Sequence, residues 1–171
     1  SKIYEVLNGL VDKEVVEVWT GFKHHRFGHV HLFSDDVNVT KRWYVDNLGL
    51  KGPAQDTPKP PKAPEGWAPD PEQPFALFQY MWTSQVETDN GVTINIFAKP
   101  SKESIIWWGY EEGVEELVAS DGRSIDHIAF SYPDIAPAYD RMKAAGVEMV
   151  RDLQEDPELK TKNFFVRGPD K

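Results

Sequence analysis

Gly28-His29-Val30-His31-Leu32-Phe33-Ser34-Asp35-Asp36-Val37 decides the fold of this chain, because its pattern returns as Asp126-His127-Ile128-Ala129-Phe130-Ser131-Tyr132-Pro133-Asp134-Ile135. With His29 set on His127, Val30 falls on Ile128, Leu32 on Phe130, Asp36 on Asp134 and Val37 on Ile135 without a gap. The alternation in each copy reads as a strand with one apolar face. The Asp seven residues after the His is placed as a helix N-cap, and helical spacing follows it. The unit is strand, cap and helix, used twice.

Period two sends Val30 and Leu32 to one face of the first strand and His29, His31 and Phe33 to the other. After Asp36, the residues Val37, Thr40, Lys41, Tyr44, Val45 and Leu48 recur at helical steps, and Gly49 ends the helix. Val30 and Leu32 therefore face that helix, and the two His lie on the side it leaves bare. In the second copy Ile128 and Phe130 face the helix, with His127, Ala129 and Ser131 opposite. Asp134 caps, Pro137 is tolerated in the first turn, Ile135, Ala138, Tyr139 and Met142 form the buried stripe, and Gly146 closes.

Around these units the chain divides into an N-terminal arm (1–26), a first module (27–98), a connector (99–122) and a second module (123–171). In the arm, His24 and His25 sit in a Lys-His-His-Arg cluster that reads as solvated loop. Residues 53–74 hold most of the prolines and read as an insertion, either a flap over a site or a surface loop. Phe75 to Glu87 is expected to be a long strand, Asp89-Asn90-Gly91 a turn, and Val92 to Ala98 the returning strand, with Ile94 and Ile96 on one face and Thr93, Asn95 and Phe97 on the other. A helix is expected around Glu111 to Ala119, and strands at Val147 to Val150 and Asn163 to Val166. By analogy with the first module one strand is missing after the Gly168-Pro169-Asp170 turn. The natural polypeptide is expected to continue past Lys171 with that strand, carrying a Glu at the position equivalent to Asn95.

The predicted fold class is α+β: two βαβββ modules forming a curved mixed sheet around a shared cleft. With 171 residues, 40% hydrophobic and 27% charged, the chain is globular. A formal net charge of −9 argues against nucleic-acid or anionic-membrane partners, which need clustered Lys and Arg. A small-molecule substrate fits better, and a homodimer is a further expectation. The absence of cysteine excludes disulfides and thiol chemistry but leaves the compartment open, with the cytoplasm as default. No apolar run approaches the roughly 20 residues that span a bilayer.

Pseudo-symmetry brings His29 and His127 to equivalent places on the bare faces. Each is either a hydrogen-bonded pocket wall or a metal ligand, since imidazole binds iron, zinc, nickel and copper. The paired His motifs, Trp43-Tyr44 and Leu48-Gly49 in the first helix, and the Arg167-Gly168-Pro169-Asp170 turn resemble the vicinal oxygen chelate superfamily over Phe27 to Ala98 and Ser124 to Lys171. That group contains glyoxalase I, the extradiol dioxygenases, methylmalonyl-CoA epimerase and the bleomycin and fosfomycin resistance proteins. The resemblance implies metal ligands on the first and last strand of each module, which His29 and His127 match. Asn95 stands where a glyoxalase-like protein often has Glu, so the resemblance favours a dioxygenase-like pair of His with one carboxylate. It implies a divalent ion, Fe(II) ahead of Zn, Ni or Mn, and a substrate with vicinal oxygens lined by Asn95, His31, Phe33, Phe97 and Ser131. The competing expectations are a metal-free resistance or sequestration protein, whose aromatic strand Phe75 to Trp82 holds a planar ligand, and a degenerate module kept for assembly.

Overall fold

The computed structural model describes residues 29–67, 70, 72–73, 76, 79–99, 116–120 and 127–170. The N-terminal arm, with His24 and His25, and most of the connector lie outside them. The elements are β1 (His29–Ser34), α1 (Val37–Leu48), β2 (Thr83–Glu87), β3 (Thr93–Ala98), α2 (Ala136–Ala144), β4 (Met149–Asp156) and β5 (Thr161–Val166). The fold is α+β, with a sheet ordered β1-β3-β2 and a second sheet of β4 and β5. β3 runs parallel to β1 and antiparallel to β2. The parallel pair needs a crossover, which α1 and the long link after it provide. A single bridge between Lys51 and Glu87 adds to the edge of β2.

Asp36 starts α1 as the spacing requires: its backbone is extended, and its carboxylate accepts from the Asn38 and Val39 amides at 3.0 and 3.1 Å. Gly49 ends the helix at φ 73°, a left-handed turn open to glycine at little cost. Between these caps Val37, Tyr44 and Leu48 pack with Val86, Ile94 and Ile96 of the sheet, and Met142 of α2 joins the same core. Full burial of an Ile contributes roughly 1.5–3 kcal/mol, so Ile94 and Ile96 anchor the central strand.

The second copy of the repeat departs from the first. Ile135 already has helical dihedrals, and Asp134 accepts from the Ala136 amide at 3.1 Å. Pro137 has no amide to offer, so this carboxylate holds one helix N–H where Asp36 holds two. At the far end, the Gly146 and Val147 amides bond the Lys143 and Met142 carbonyls, both at 3.0 Å, and Gly146 takes φ 73°. This is the paired-bond ending expected of a left-handed glycine. The preceding segment is not a strand: residues 127–132 carry no regular structure. In the first copy β1 is a strand because β3 pairs along all six of its residues. Among the described residues nothing pairs with 127–131 in that way.

Three further expectations change. The strand before the turn spans only Thr83–Glu87, since its ladder runs no further than β3 does, and residues 79–80 form a 3₁₀ turn. The connector is not helical over 116–119, its described part within the expected helix. The proline-rich segment has a defined place over its described part. It is docked on α1: Asn38 and Thr57 exchange two hydrogen bonds, Lys41 Nζ donates to the Gln55 carbonyl at 2.7 Å, and the Trp82 indole donates to the Thr57 carbonyl at 2.9 Å. Those partners lie on the helix-covered side. β4 begins two residues later than the expected Val147–Val150 and runs on to Asp156, β5 begins two residues before the expected Asn163–Val166, and two register shifts interrupt their pairing.

Candidate functional site

The ladders fix what each face of the first sheet presents. His29 stands beside Thr93, His31 beside Asn95 and Phe33 beside Phe97, with Glu87, Gln85 and Thr83 of β2 completing the three rows. These nine residues occupy the face opposite α1, as the alternation requires. His29 and His31 stack with ring centroids 4.8 Å apart, and the His31 ring lies 4.9 Å from that of Phe97. Burial lowers the pKa of His31, and the neighbouring charge of His29 lowers it further. Its imidazole is therefore neutral at pH 7, with one nitrogen to accept and one to donate.

In the second half His127 makes an edge contact to Phe165 of β5, with centroids 5.4 Å apart. The Arg151 guanidinium sits 4.1 Å from the centroid of the same Phe165 ring, a cation–π placement that holds the ring. Between the halves lies a cavity of about 1110 Å³. His31, Phe33, His127 and Ser131 line it, and so does Phe165. His29, Asn95 and Phe97 do not line it. His29 and Phe97 touch His31, Asn95 adjoins it in register, and Phe97 also adjoins Phe33. Phe165 was missed in the sequence, although the alternation of Asn163 and Phe165 against Phe164 and Val166 was there to signal it.

Both ends of α1 are tied to the second half. At its start Asp170 accepts from the Asp35 amide at 3.1 Å and from the Thr40 hydroxyl at 2.5 Å, while Thr40 and Ser34 share a buried hydroxyl bond of 2.8 Å. At its end the Tyr132 hydroxyl donates to the Leu48 carbonyl at 3.0 Å, and Arg141 donates twice to the Asn47 carbonyl. A guanidinium at a helix C-terminus meets both the free carbonyls and the negative end of the dipole.

Among the described residues no group of three or more His, Cys, Asp or Glu side chains is placed to hold a metal ion. His29 and His127 thus do not form part of a three-ligand set drawn from these residues. No helix among the described residues is long and apolar enough to cross a membrane.

The α+β fold, with its small sheets and two helices among the described residues, is consistent with the glyoxalase fold. A profile of the Glyoxalase/Bleomycin resistance protein/Dioxygenase superfamily matches residues 26–171, and the chain belongs to that superfamily. Similar solved structures include a glyoxylase/bleomycin resistance protein/dioxygenase domain from Frankia sp. EAN1pec, at 18% identity over 85% of this chain and 91% of that one, with a TM-score of 0.53. A glyoxalase/dioxygenase from Nostoc punctiforme shares 12% identity over 85% of each chain, with a TM-score of 0.52. Lactoylglutathione lyase from Agrobacterium tumefaciens shares 13% identity over 85% of this chain and 87% of that one, with a TM-score of 0.50. At such identities the likeness is one of fold. No curated protein sequence matches the chain significantly.

Proposed function

We propose that the chain is a small-molecule binding protein of this superfamily, of the resistance or sequestration kind, that holds a planar ligand between His31 and the His127–Phe165 pair. The observation that carries this reading is the cluster of rings His29, His31 and Phe97 at 4.8 and 4.9 Å, whose middle ring His31 opens on a cavity with His127 and Phe165 on its other wall. Ring side chains supply flat contact area at low entropic cost, and the His31 imidazole supplies a polar edge. A second reading, a metal-dependent dioxygenase-like enzyme using Fe(II), Zn, Ni or Mn, is favoured by the matched repeat positions of His29 and His127. It would need a further ligand from outside the described residues.

The test is calorimetric titration of untagged protein with a panel of quinoline and acridine derivatives, with and without EDTA, alongside metal analysis. Binding that survives EDTA and weakens about tenfold or more in His31→Ala and in Phe165→Ala supports the binding protein. Stoichiometric metal that is lost in both His29→Ala and His127→Ala, with ligand binding that fails in EDTA, would replace it by the metal-dependent reading.

A further inference from the structure

The turn that joins β2 to β3 carries a reactive pair, Asn90 and Gly91, both exposed at its tip. The carboxamide carbon of an Asn can be attacked by the backbone nitrogen of the next residue, which closes a five-membered ring. A side chain on that next residue crowds the approach, and glycine has none. Asn38, Asn47, Asn95 and Asn163 are followed by Val39, Leu48, Ile96 and Phe164, whereas Asn90 shares a following glycine with Asn8 alone. Around Gly91 the space is open, since an added Cβ would meet nothing within 4 Å.

Thr88 touches both reacting groups. Its carbonyl accepts the Gly91 N–H at 3.0 Å, and its hydroxyl lies 2.5 Å from Asn90 Oδ1. The same hydroxyl accepts from the Val92 amide at 2.9 Å and lies 3.1 Å from the Val92 carbonyl. Its one proton therefore goes to the closer acceptor, the Asn90 carboxamide. Thr88 is itself fixed, because its amide donates to the Val92 carbonyl at 2.9 Å. One residue thus holds the electrophile by its oxygen and the nucleophile by its N–H, on the same side of the turn. That is a proximity effect. The hydroxyl also places a donor on the oxygen that gains negative charge as the nitrogen attacks.

We propose that Asn90 is a self-modification site, converted through a cyclic imide with Gly91 to aspartate and isoaspartate, and that Thr88 is the residue that positions it. The Gly91 nitrogen loses its proton to solvent and bonds to Asn90 Cγ. The carboxamide C–N bond breaks, and its nitrogen leaves as ammonia with a proton from water. Water then adds to either carbonyl of the ring: opening at Cγ gives aspartate, and opening at the backbone carbonyl gives isoaspartate. In sum one water is consumed and one ammonia released, with no change of oxidation state. The iso form puts an extra backbone carbon into the turn that sets the β2–β3 register. It does so next to the pair Glu87 and Thr93, in the row of the bare face that also holds His29. The new carboxylate stands beside Asp89, the partner of Lys51 at 2.9 Å.

The 171-residue chain is incubated in mildly alkaline buffer and sampled over weeks by peptide mapping with mass spectrometry. Aspartate and isoaspartate are told apart by retention and fragmentation. Asn8, which has Val6 where Asn90 has Thr88, serves as the reference within the same chain. The expected result is conversion at position 90 that slows about threefold or more in Thr88→Val, the worth of one hydrogen bond. Thr88→Ser should keep the wild-type rate, and the rate at Asn8 should be the same in all three. In concentrated guanidinium chloride the difference at position 90 between wild type and Thr88→Val should vanish. Asn90 intact after Asn8 has converted overturns the proposal. So does a Thr88→Val chain that converts at the wild-type rate, or a difference that survives in denaturant, which would belong to the sequence and not to the turn.

Discussion

Raising the pH from about 9 to about 12 should destabilise the protein through one phenol, that of Tyr44. This side chain is 9% exposed on the inner stripe of α1, and its pKa is pushed from the ordinary 10.0 up to about 12, first by burial and second by the negative Asp170. The unfolded chain releases the proton near pH 10 and the folded chain holds it to about 12, so the folded state binds more protons across that window. Its contribution is fully present below pH 10 and is lost as the pH rises through 12. A difference of that size corresponds to roughly 2.7 kcal/mol. Urea denaturation of the wild type and of Tyr44→Phe at intervals across this range isolates it, because the other titrating groups are common to both. The wild type should lose about 2 kcal/mol more than the variant by pH 12, where the folded phenol is half ionised. Ultraviolet titration should show one of the six tyrosines ionising last, and that step should vanish in Tyr44→Phe. In Asp170→Asn the step should move down but stay above the ordinary value, since burial is the larger cause. Parallel stability curves for wild type and Tyr44→Phe would refute the reasoning.

Ile96→Ala, at a fully buried position facing α1, should cost about 2–5 kcal/mol in chemical denaturation. Asp36→Ala should cost about 1 kcal/mol and Asp134→Ala about half as much, because the first carboxylate holds two helix amides and the second holds one; equal losses would mean that Pro137 does not matter to the cap. Gly146→Ala should cost about 1 kcal/mol from its left-handed backbone alone, since an added Cβ would meet nothing within 4 Å; thermal denaturation reads the loss.

What could be read in the sequence was what a residue and its near neighbours decide. The alternation placed Val30 and Leu32 under α1 and the two His opposite, and the Asp36 and Gly49 caps bounded the helix; each is a local matter of side-chain period or of one free amide. A strand is different, because it exists only with a partner. His29–Ser34 and 127–132 share their alternation, yet only the first has a ladder along its length. The same limit shortened the aromatic strand, whose pairing stops at Thr83 opposite Phe97. Proline content predicted that residues 53–67 would lack regular structure, but not where they would lie. Their place is set by bonds such as Asn38 to Thr57 and Lys41 to Gln55, across intervals that composition does not encode. For the site, alternation put His29 and His31 on one face but could not say that His31 is the one that opens on the cavity with His127.

The clamping of α1 bears on why an apolar cavity of this size persists beside β5. Interiors pack densely, and apolar walls close on each other where nothing holds them apart. Here the walls are tied to a rigid helix at both of its ends. The Arg167-Gly168-Pro169-Asp170 turn, which follows β5, is fixed to the start of α1 through Asp35 and Thr40. Tyr132, which follows the facing segment, and Arg141 of α2 are fixed to the end of α1 at Leu48 and Asn47. With α1 between them, β5 and residues 127–131 can approach only if one set of these bonds breaks. Asp170, which also lines the cavity, and the helix residue Arg141, which does not, thus act as braces. Loosening a brace, as in Arg141→Ala, should therefore narrow the gap beside β5 while the ring cluster of His29, His31 and Phe97, built wholly on the first sheet, stays as it is.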